Sequence, residues 1–208
     1  MIYLSALLLC LFLNLTPLVL SLIYVNKRIH FSKSIILLFS IITSIGIVVF
    51  MYAGRLILNL FIPKVGNIFG AVCLSLIGVY YIVEYMRILN ESAGYDTSYY
   101  YEPSLNYRKL LDFSSSIPEI NNLNDINIYS FIKFSAEFLL NNILIYISAG
   151  ITGININICV FVNFILSLIV FYLGYLNIKD NIILFLGRHF YLFGGILLIT
   201  LGLLETYQ

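Results

Sequence analysis

The sequence predicts an all-α integral membrane protein with six transmembrane helices. Its 208 residues are 61% hydrophobic and only 10% charged, and the mean hydropathy is +0.99. A soluble domain carries about a quarter of its residues as charges, and a water-soluble fold of this size cannot bury so much apolar surface. The apolar runs are continuous and lack the alternation of lipid-facing barrel strands, which favours helices.

Six apolar runs are long enough to cross a bilayer, because a hydrocarbon core of about 30 Å needs about 20 helical residues. The runs cover residues 2–25, 34–62, 65–86, 129–152, 154–178 and 182–204. Short polar breaks separate most of them, and only the segment 88–128 is long and polar. We therefore expect a three-helix unit at 1–87, a polar loop at 88–128 and a second three-helix unit at 129–208.

The basic residues lie mainly on one side of the predicted membrane. Only Arg55 and Lys64 fall on the side of the second and fourth connections. The other nine of the eleven Lys and Arg residues are Lys27, Arg28, Lys33, Arg87, Arg108, Lys109, Lys133, Lys179 and Arg188. Because positive residues accumulate on the cytoplasmic side, we expect a multi-pass protein of the cytoplasmic membrane, with the long loop inside and both termini outside.

Matching glycines indicate an internal repeat. The third run carries Gly70 and Gly78, and the sixth run carries Gly194 and Gly202 with the same eight-residue step. The second and fifth runs both carry a Tyr-x-Gly triplet toward their ends. Because each unit has an odd number of helices, the second copy crosses the bilayer in the opposite orientation to the first. We therefore expect two inverted three-helix repeats (3+3), the plan of many secondary transporters.

The first and fourth runs each carry an asparagine after a leucine, Asn14 and Asn141. Helical periodicity puts each asparagine on a polar stripe of its helix, and the two helices are equivalent in the two units. We therefore expect Asn14 and Asn141 to face each other near mid-membrane, where an inverted-repeat transporter holds its substrate. The candidate pathway residues are Asn14, Ser21, Glu137, Asn141 and Ser148. The alternative is that these polar residues only join helices by hydrogen bonds, each worth about 0.6–2 kcal/mol.

Glu137 is the carboxylate placed deepest in a predicted span, and a charge there needs a partner. Lys133, one helical turn away, is the expected partner in a structural pair, and otherwise Glu137 guards a cytoplasmic entrance. Pro17 is expected to kink the first helix. Asn142 is rotated by about 100° from Asn141 and is expected to reach a neighbouring helix.

Small residues in the third and sixth runs predict close helix contacts. These helix-packing candidates are Gly66, Gly70, Gly78, Gly194, Gly195 and Gly202. The contacts they predict lie within the chain or, as the alternative, at a dimer face.

The sequence contains no pattern typical of an enzyme or of a cofactor site. Cys10, Cys73 and Cys159 each lie inside an apolar run and form no metal-binding spacing. We therefore expect no enzymatic activity, no cofactor and no resident metal. The absence of a basic patch also argues against nucleic-acid binding.

The predicted loop is rich in tyrosine, serine and asparagine. Its tyrosines are Tyr95, Tyr99, Tyr100, Tyr101 and Tyr107. Two interpretations remain open: a linker between the two units, or a docking surface for a cytoplasmic partner.

Several short motifs follow one another along nearly the whole chain outside the loop. They are Leu13-Asn14, Lys27-Arg28 before Lys33, Gly54, the Gly70 to Gly78 step followed by 81–86, Leu140-Asn141 with 149–153, and the Gly194 to Gly202 step. In these motifs and their order the chain resembles the MntP-like (manganese efflux pump-like) membrane family, and within it the YtaF-type sporulation membrane proteins of spore-forming bacteria.

At two positions that bear on metal export, this chain differs from the family that it resembles. Family members typically carry an aspartate after a leucine in helices one and four, and these carboxylates are implicated in ion handling by the manganese exporters. The matching residues here are Asn14 and Asn141. Mn²⁺ is a hard cation that prefers charged oxygen ligands, so the resemblance implies retained architecture with weakened divalent-metal binding.

Three functional interpretations follow. The first is a YtaF-type protein that no longer exports divalent metal. The second is a working exporter of a cation or small solute along helices one and four, and the third is a non-transporting scaffold that acts through its loop. The implied partners are the lipid bilayer, a divalent cation for the exporter, and a second copy of the chain or a cytoplasmic protein at the loop.

Overall fold

The computed structural model describes residues 2–26, 31–60, 62–92, 128–174 and 180–206. Its helices are α1 (Ile2–Asn26), α2 (Lys33–Leu58), α3 (Pro63–Ser92), α4 (Ile128–Asn141), α5 (Ile143–Ile151), α6 (Ile156–Gly174) and α7 (Asp180–Thr206). These ranges contain no β-strand. The prediction of an all-α chain is therefore confirmed for the part that the structure describes.

The lengths of the helices match the thickness of a bilayer. Five of the described helices, α1, α2, α3, α6 and α7, are long and apolar enough to cross a membrane. The α4 and α5 helices pass the same test only as a pair, and they meet at an angle of 48°. The described residues thus contain five helices that could each span a membrane, or six such segments if the bent pair crosses as one.

The break between α4 and α5 corrects the prediction of one continuous helix over 129–152. At the break, the side-chain Nδ2 of Asn142 donates to the carbonyl oxygen of Phe138 (2.8 Å). This carbonyl is the one that the backbone N–H of Asn142 would use in a regular helix, and that N–H donates to the carbonyl of Leu139 instead (3.2 Å). An amide side chain that replaces a backbone donor bends the helix at that point.

Other boundaries differ from the prediction by a few residues. The α3 helix begins at Pro63, a residue suited to the first helical turn because it has no N–H to leave unpaired, and it continues to Ser92 rather than ending near 86. The α1 helix continues through Pro17. The loop tyrosines and most of the predicted loop lie outside the described residues.

Large apolar side chains cover the outside of the molecule. Leu76 is 63% exposed and Phe161 67% exposed, and similar residues lie along α1, α2, α3, α6 and α7. A monomeric soluble protein rarely exposes a contiguous apolar surface of this extent. The described helices therefore have the surface of a membrane-embedded protein.

The α1 and α6 helices run parallel to each other. Three hydrogen bonds join them at one constant separation of 149 residues, from Cys10 to the carbonyl of Cys159, from Asn14 to Asn163 and from Ser21 to the carbonyl of Val170. The α2 helix packs against the same α6 in the opposite direction. These three helices enclose the polar side chains described in the next subsection.

The α3 and α7 helices form the most extensive contact in the molecule. Gly78 lies against the backbone of Gly195, so that a methyl group added at Gly78 would come within 2.9 Å of the carbonyl oxygen of Gly195. Gly202 lies against the carbonyl of Ala71 in the same way, at 2.7 Å from an added methyl. The two helices approach so closely because both contribute glycine at the contact.

The α2 helix packs against the bent pair through two further glycines. Gly54 lies against the carbonyl of Ile147, and Gly150 lies against the carbonyl of Met51. Arg55 extends this contact by donating to the carbonyl oxygen of Ile154 (3.2 Å). Because both glycines abut backbone atoms, side chains larger than hydrogen cannot be placed at either position without moving a helix.

Replacement of Gly78 should test the close contact between α3 and α7. A Gly78→Leu variant must separate the two helices, and we expect it to lose about 1–3 kcal/mol of stability from overpacking. Heating in detergent with a thiol-reactive dye follows unfolding, since the thiols of Cys10 and Cys159 are fully buried. The midpoint should fall by about 2–4 °C for each kcal/mol lost. The matched control is Val79→Leu on the exposed side of the same turn, and equal midpoints for the two variants would contradict the prediction.

Candidate functional site

Three buried polar side chains meet where α1, α2 and α6 come together. Asn14 of α1 is 4% exposed, Thr43 of α2 is 2% exposed and Asn163 of α6 is 3% exposed. We call these three residues the central polar layer. They lie near the middle of their helices, where a membrane-spanning helix has no access to bulk water.

Hydrogen bonds connect the central polar layer into one chain. Nδ2 of Asn14 donates both to the carbonyl oxygen of Cys10 (2.8 Å) and to Oδ1 of Asn163 (2.9 Å). Nδ2 of Asn163 then donates to the hydroxyl oxygen of Thr43 (3.2 Å), and that hydroxyl donates to the carbonyl of Phe39 (3.0 Å). Polar groups buried away from water are stable when they are bonded in this way.

Buried serines continue the polar surface toward the end of the bundle where α2 begins and α6 ends. Ser167 of α6 donates to the hydroxyl of Ser40, one turn before Thr43 on α2. Ser21 of α1 donates to the carbonyls of Leu18 (2.8 Å) and Val170 (3.3 Å). These three residues, Ser21, Ser40 and Ser167, form a serine row that extends the central polar layer in one direction.

An apolar cluster closes the polar surface at that end. The phenylalanine cluster consists of Leu20, Phe31, Ile35, Phe39, Phe131, Phe138 and Phe171. Its centre is Phe39, whose ring centroid lies 5.3 Å from that of Phe171 and 5.8 Å from that of Phe131. The cluster joins residues of α1, α2, α4 and α6 with Phe31, which precedes α2. Among the described residues, this cluster lies between the serine row and that end of the bundle.

The main apolar core covers the central polar layer on its other side. Cys10, Ile47 and Cys159 lie one helical turn beyond the layer on α1, α2 and α6, and all three are fully buried. The layer is therefore enclosed at both ends along the axis of the bundle. In chemical terms it offers amide and hydroxyl oxygens to a ligand but no formal charge.

The structure brings together only part of the predicted site. Asn14 and Ser21 are buried on α1, and Ser148 is buried on α5, where its carbonyl lies against Gly70 of α3. Asn141 and Glu137 are exposed on the outer face of α4. Among the predicted site residues, only Asn14 thus belongs to the central polar layer.

The prediction that Asn14 and Asn141 face each other is wrong. Asn14 bonds to Asn163 of α6, because α1 packs against α6 and α7 rather than against α4. The α4 helix buries the face that carries Phe138 and Asn142, and Asn141 lies on a different face. The expectation that Asn142 reaches a neighbouring helix is also not met, since its amide bonds to Phe138 of its own helix.

The expected ion pair between Lys133 and Glu137 does not form in the structure, where both side chains are exposed. Two other carboxylates are buried instead, Glu84 and Glu205. Glu84 pairs with Arg87 (3.8 Å), and Glu205 accepts a hydrogen bond from Ser5. They belong to α3 and α7, which contribute nothing to the central polar layer.

Sequence reasoning missed Asn163, Thr43, Ser40 and Ser167. A signal for two of them was present, because the matching ends of the second and fifth runs at Gly54 and Gly174 align Thr43 with Asn163. Within the described residues, no three His, Cys, Asp or Glu side chains come close enough together to hold a metal ion.

Comparisons with family models, with curated protein sequences and with solved structures find no match for this chain.

A double-mutant cycle should measure the bond between Asn14 and Asn163. Asn14→Leu and Asn163→Leu keep the branched shape and the number of heavy atoms of the side chain and remove the amide, and a buried interhelical pair of this kind is worth about 0.6–1.7 kcal/mol. We expect the two losses of unfolding free energy to be coupled by that amount. SDS titration in mixed micelles supplies the free energies. The control cycle pairs Asn14→Leu with Asn157→Leu, an exposed residue of α6, and should give no coupling.

Proposed function

We propose that the chain is a YtaF-type membrane protein of the MntP-like family, built on the inverted-repeat plan of secondary transporters, and that it does not export divalent metal ions. The observation that carries the proposal is the uncharged central polar layer of Asn14, Thr43 and Asn163, enclosed in the middle of the helices. A layer at this position is where such an architecture holds its substrate.

The glycine contacts between α3 and α7 support the inverted repeat. Gly78 packs on Gly195, and Gly202 packs on Ala71. Gly195 and Ala71 each follow the first glycine of the eight-residue step in their own helix. The repeat therefore aligns Gly78 with Gly202 and Ala71 with Gly195, so that exchanging the two halves turns the first contact into the second. A two-fold relation between α3 and α7 requires this equivalence.

The directions of the other helices support the same relation. The α1 helix runs parallel to α6, and its counterpart in the second half, the α4–α5 pair, runs parallel to α2. The α2 and α6 helices are each other's counterparts and are antiparallel. Alternating directions of this kind fit six spans, with α4 and α5 as one broken span of the type found in transporters.

The chemistry of the layer argues against divalent-metal export. Mn²⁺ is served by carboxylates and other hard oxygen ligands, whereas the layer supplies only neutral amide and hydroxyl oxygens. The Asn163 amide already uses both of its polar atoms: Oδ1 accepts from Asn14, and Nδ2 donates to Thr43. A divalent ion would have to displace these bonds without any charge in the layer to offset its lost hydration.

The proposed orientation rests on the basic residues. Nine of the eleven Lys and Arg residues fall on one side of the six-span arrangement, and such an excess is typical of the cytoplasmic side. On this basis the phenylalanine cluster closes the cytoplasmic end of the polar surface, and the segment between α3 and α4 is cytoplasmic.

A second candidate function is transport of a small neutral solute. It is favoured by the serine row, which extends the polar surface from the layer to the phenylalanine cluster. A polar surface closed at one end by aromatic side chains resembles an occluded state, which opens if Phe39 and Phe171 separate. Transport of a neutral solute needs no charged ligand.

Flux measurements in proteoliposomes test the proposal. Purified protein is reconstituted with a Mn²⁺-quenched dye inside, and we expect the native chain to give no quenching beyond that of empty liposomes. The Asn14→Asp/Asn163→Asp variant places two carboxylates at bonded positions, so we expect it to gain Mn²⁺ flux. The control, Asn157→Asp, adds one carboxylate on the exposed surface of α6 and should give no flux. Mn²⁺ flux through the native protein would contradict the proposal.

A further inference from the structure

The outer face of α4 carries charged and polar side chains within a membrane span. From Ile132 onward its exposed residues are Ile132, Lys133, Ala136, Glu137, Leu140 and Asn141, and we call this set the outer α4 face. The opposite face of the helix is buried against α2 and α6 through Phe131, Ser135 and Phe138. The span that contains the outer α4 face is the bent pair, counted from Phe131 to Ile151.

Exposure of this face to lipid is unfavourable. Ionisable residues in a span almost always face the protein interior or pair with one another, yet Lys133 and Glu137 are exposed and point away from the other described helices. The other described helices expose mainly apolar residues in the central part of their lengths, such as Val48, Val79 and Ile165. The outer α4 face is thus the part of the described surface that fits hydrocarbon least.

Pairing within the helix does not relieve this cost in the structure. Lys133 and Glu137 are four residues apart but form no ion pair. Lysine also precedes glutamate, which is the less favourable order for such a pair in a helix. The two charges therefore call for a partner outside α4.

We propose that the outer α4 face joins two copies of the chain into a dimer in the membrane, with Lys133 of each copy paired with Glu137 of the other. A two-fold axis along the membrane normal sets two α4 helices side by side in the same direction. The two residues then differ in height by about 6 Å, since four residues rise 1.5 Å each. The four-carbon stem of lysine is long enough to span this offset.

The remaining residues of the outer α4 face suit the same partner. Ala136 lies between the two charges and lets two helix backbones approach closely. Leu140 continues the contact as an apolar neighbour, and Asn141 at the edge can exchange amide hydrogen bonds with its symmetry mate. A surface with one positive charge, one negative charge and a self-pairing amide is complementary to itself. The dimer requires that the chain spans a membrane but is independent of what, if anything, is transported.

Cysteine cross-linking in membrane vesicles tests this interface. Cys10→Ser, Cys73→Ala and Cys159→Ala remove the native thiols, and Ala136→Cys or Leu140→Cys is introduced on the outer α4 face. Oxidation should give a disulfide-linked dimer for at least one of these variants, because facing positions near a two-fold axis come within disulfide range. The matched control, Leu76→Cys on the apolar surface of α3, should remain monomeric. If both α4 variants remain as monomeric as the control, as they would if residues 93–127 of the same chain cover this face, the proposal fails.

Charge reversal supplies an independent test. Lys133→Glu and Glu137→Lys each replace two attractive contacts per dimer by two repulsive ones, and we expect each to weaken the dimer by about tenfold or more. Co-expression of the two variants with different tags recreates both ion pairs, so a mixed dimer should be recovered. Lys64→Glu, which reverses an exposed charge at the start of α3, should leave the dimer unchanged. Single variants that dimerise like the native chain, or a mixture that does not recover, would overturn the pairing of Lys133 with Glu137.

Discussion

A polar side chain inside a bilayer must find its hydrogen-bond partner within the protein, and this constraint governs how the helices of this chain are joined. Asn14, Asn163 and Thr43 satisfy one another at the centre of the molecule. Their bonds connect α1, α2 and α6, which come from both halves of the sequence. Apolar packing alone discriminates poorly between helices that are apolar on every side, so these bonds set the register of α1 against α6.

The same constraint explains the two irregular features of the second half. The amide of Asn142 takes the carbonyl of Phe138 and divides the fourth span into two helices. Lys133 and Glu137 remain on the outside of that span, where none of the described helices covers them. The break at Asn142 bends the fourth span, but α4 and α5 both stay packed on α2. The exposed charges of Lys133 and Glu137 leave a polar face that a second copy of the chain can cover.

The central polar layer and its closure define what the molecule can do. The layer is neutral, it is extended by the serine row, and the phenylalanine cluster closes it at one end. The glycines between α3 and α7 hold the other side of the bundle together at backbone contact distance. Such an arrangement combines a tightly packed helix pair with a polar centre, and the absence of charge in the layer is what separates it chemically from a divalent-cation site.

The sequence by itself determined the helical class, the approximate bounds of the spans and the glycine positions of α3 and α7, because length, hydropathy and local spacing are properties of single segments. Only the tertiary structure decided that Asn14 bonds to Asn163, that Asn141 and Glu137 face outward, and that the fourth span breaks at Asn142. Periodicity identifies the residues that share a helix face but not the helix that this face meets. The partner of a buried amide depends on which helix packs against its face, and this is determined by the packing of all the helices together.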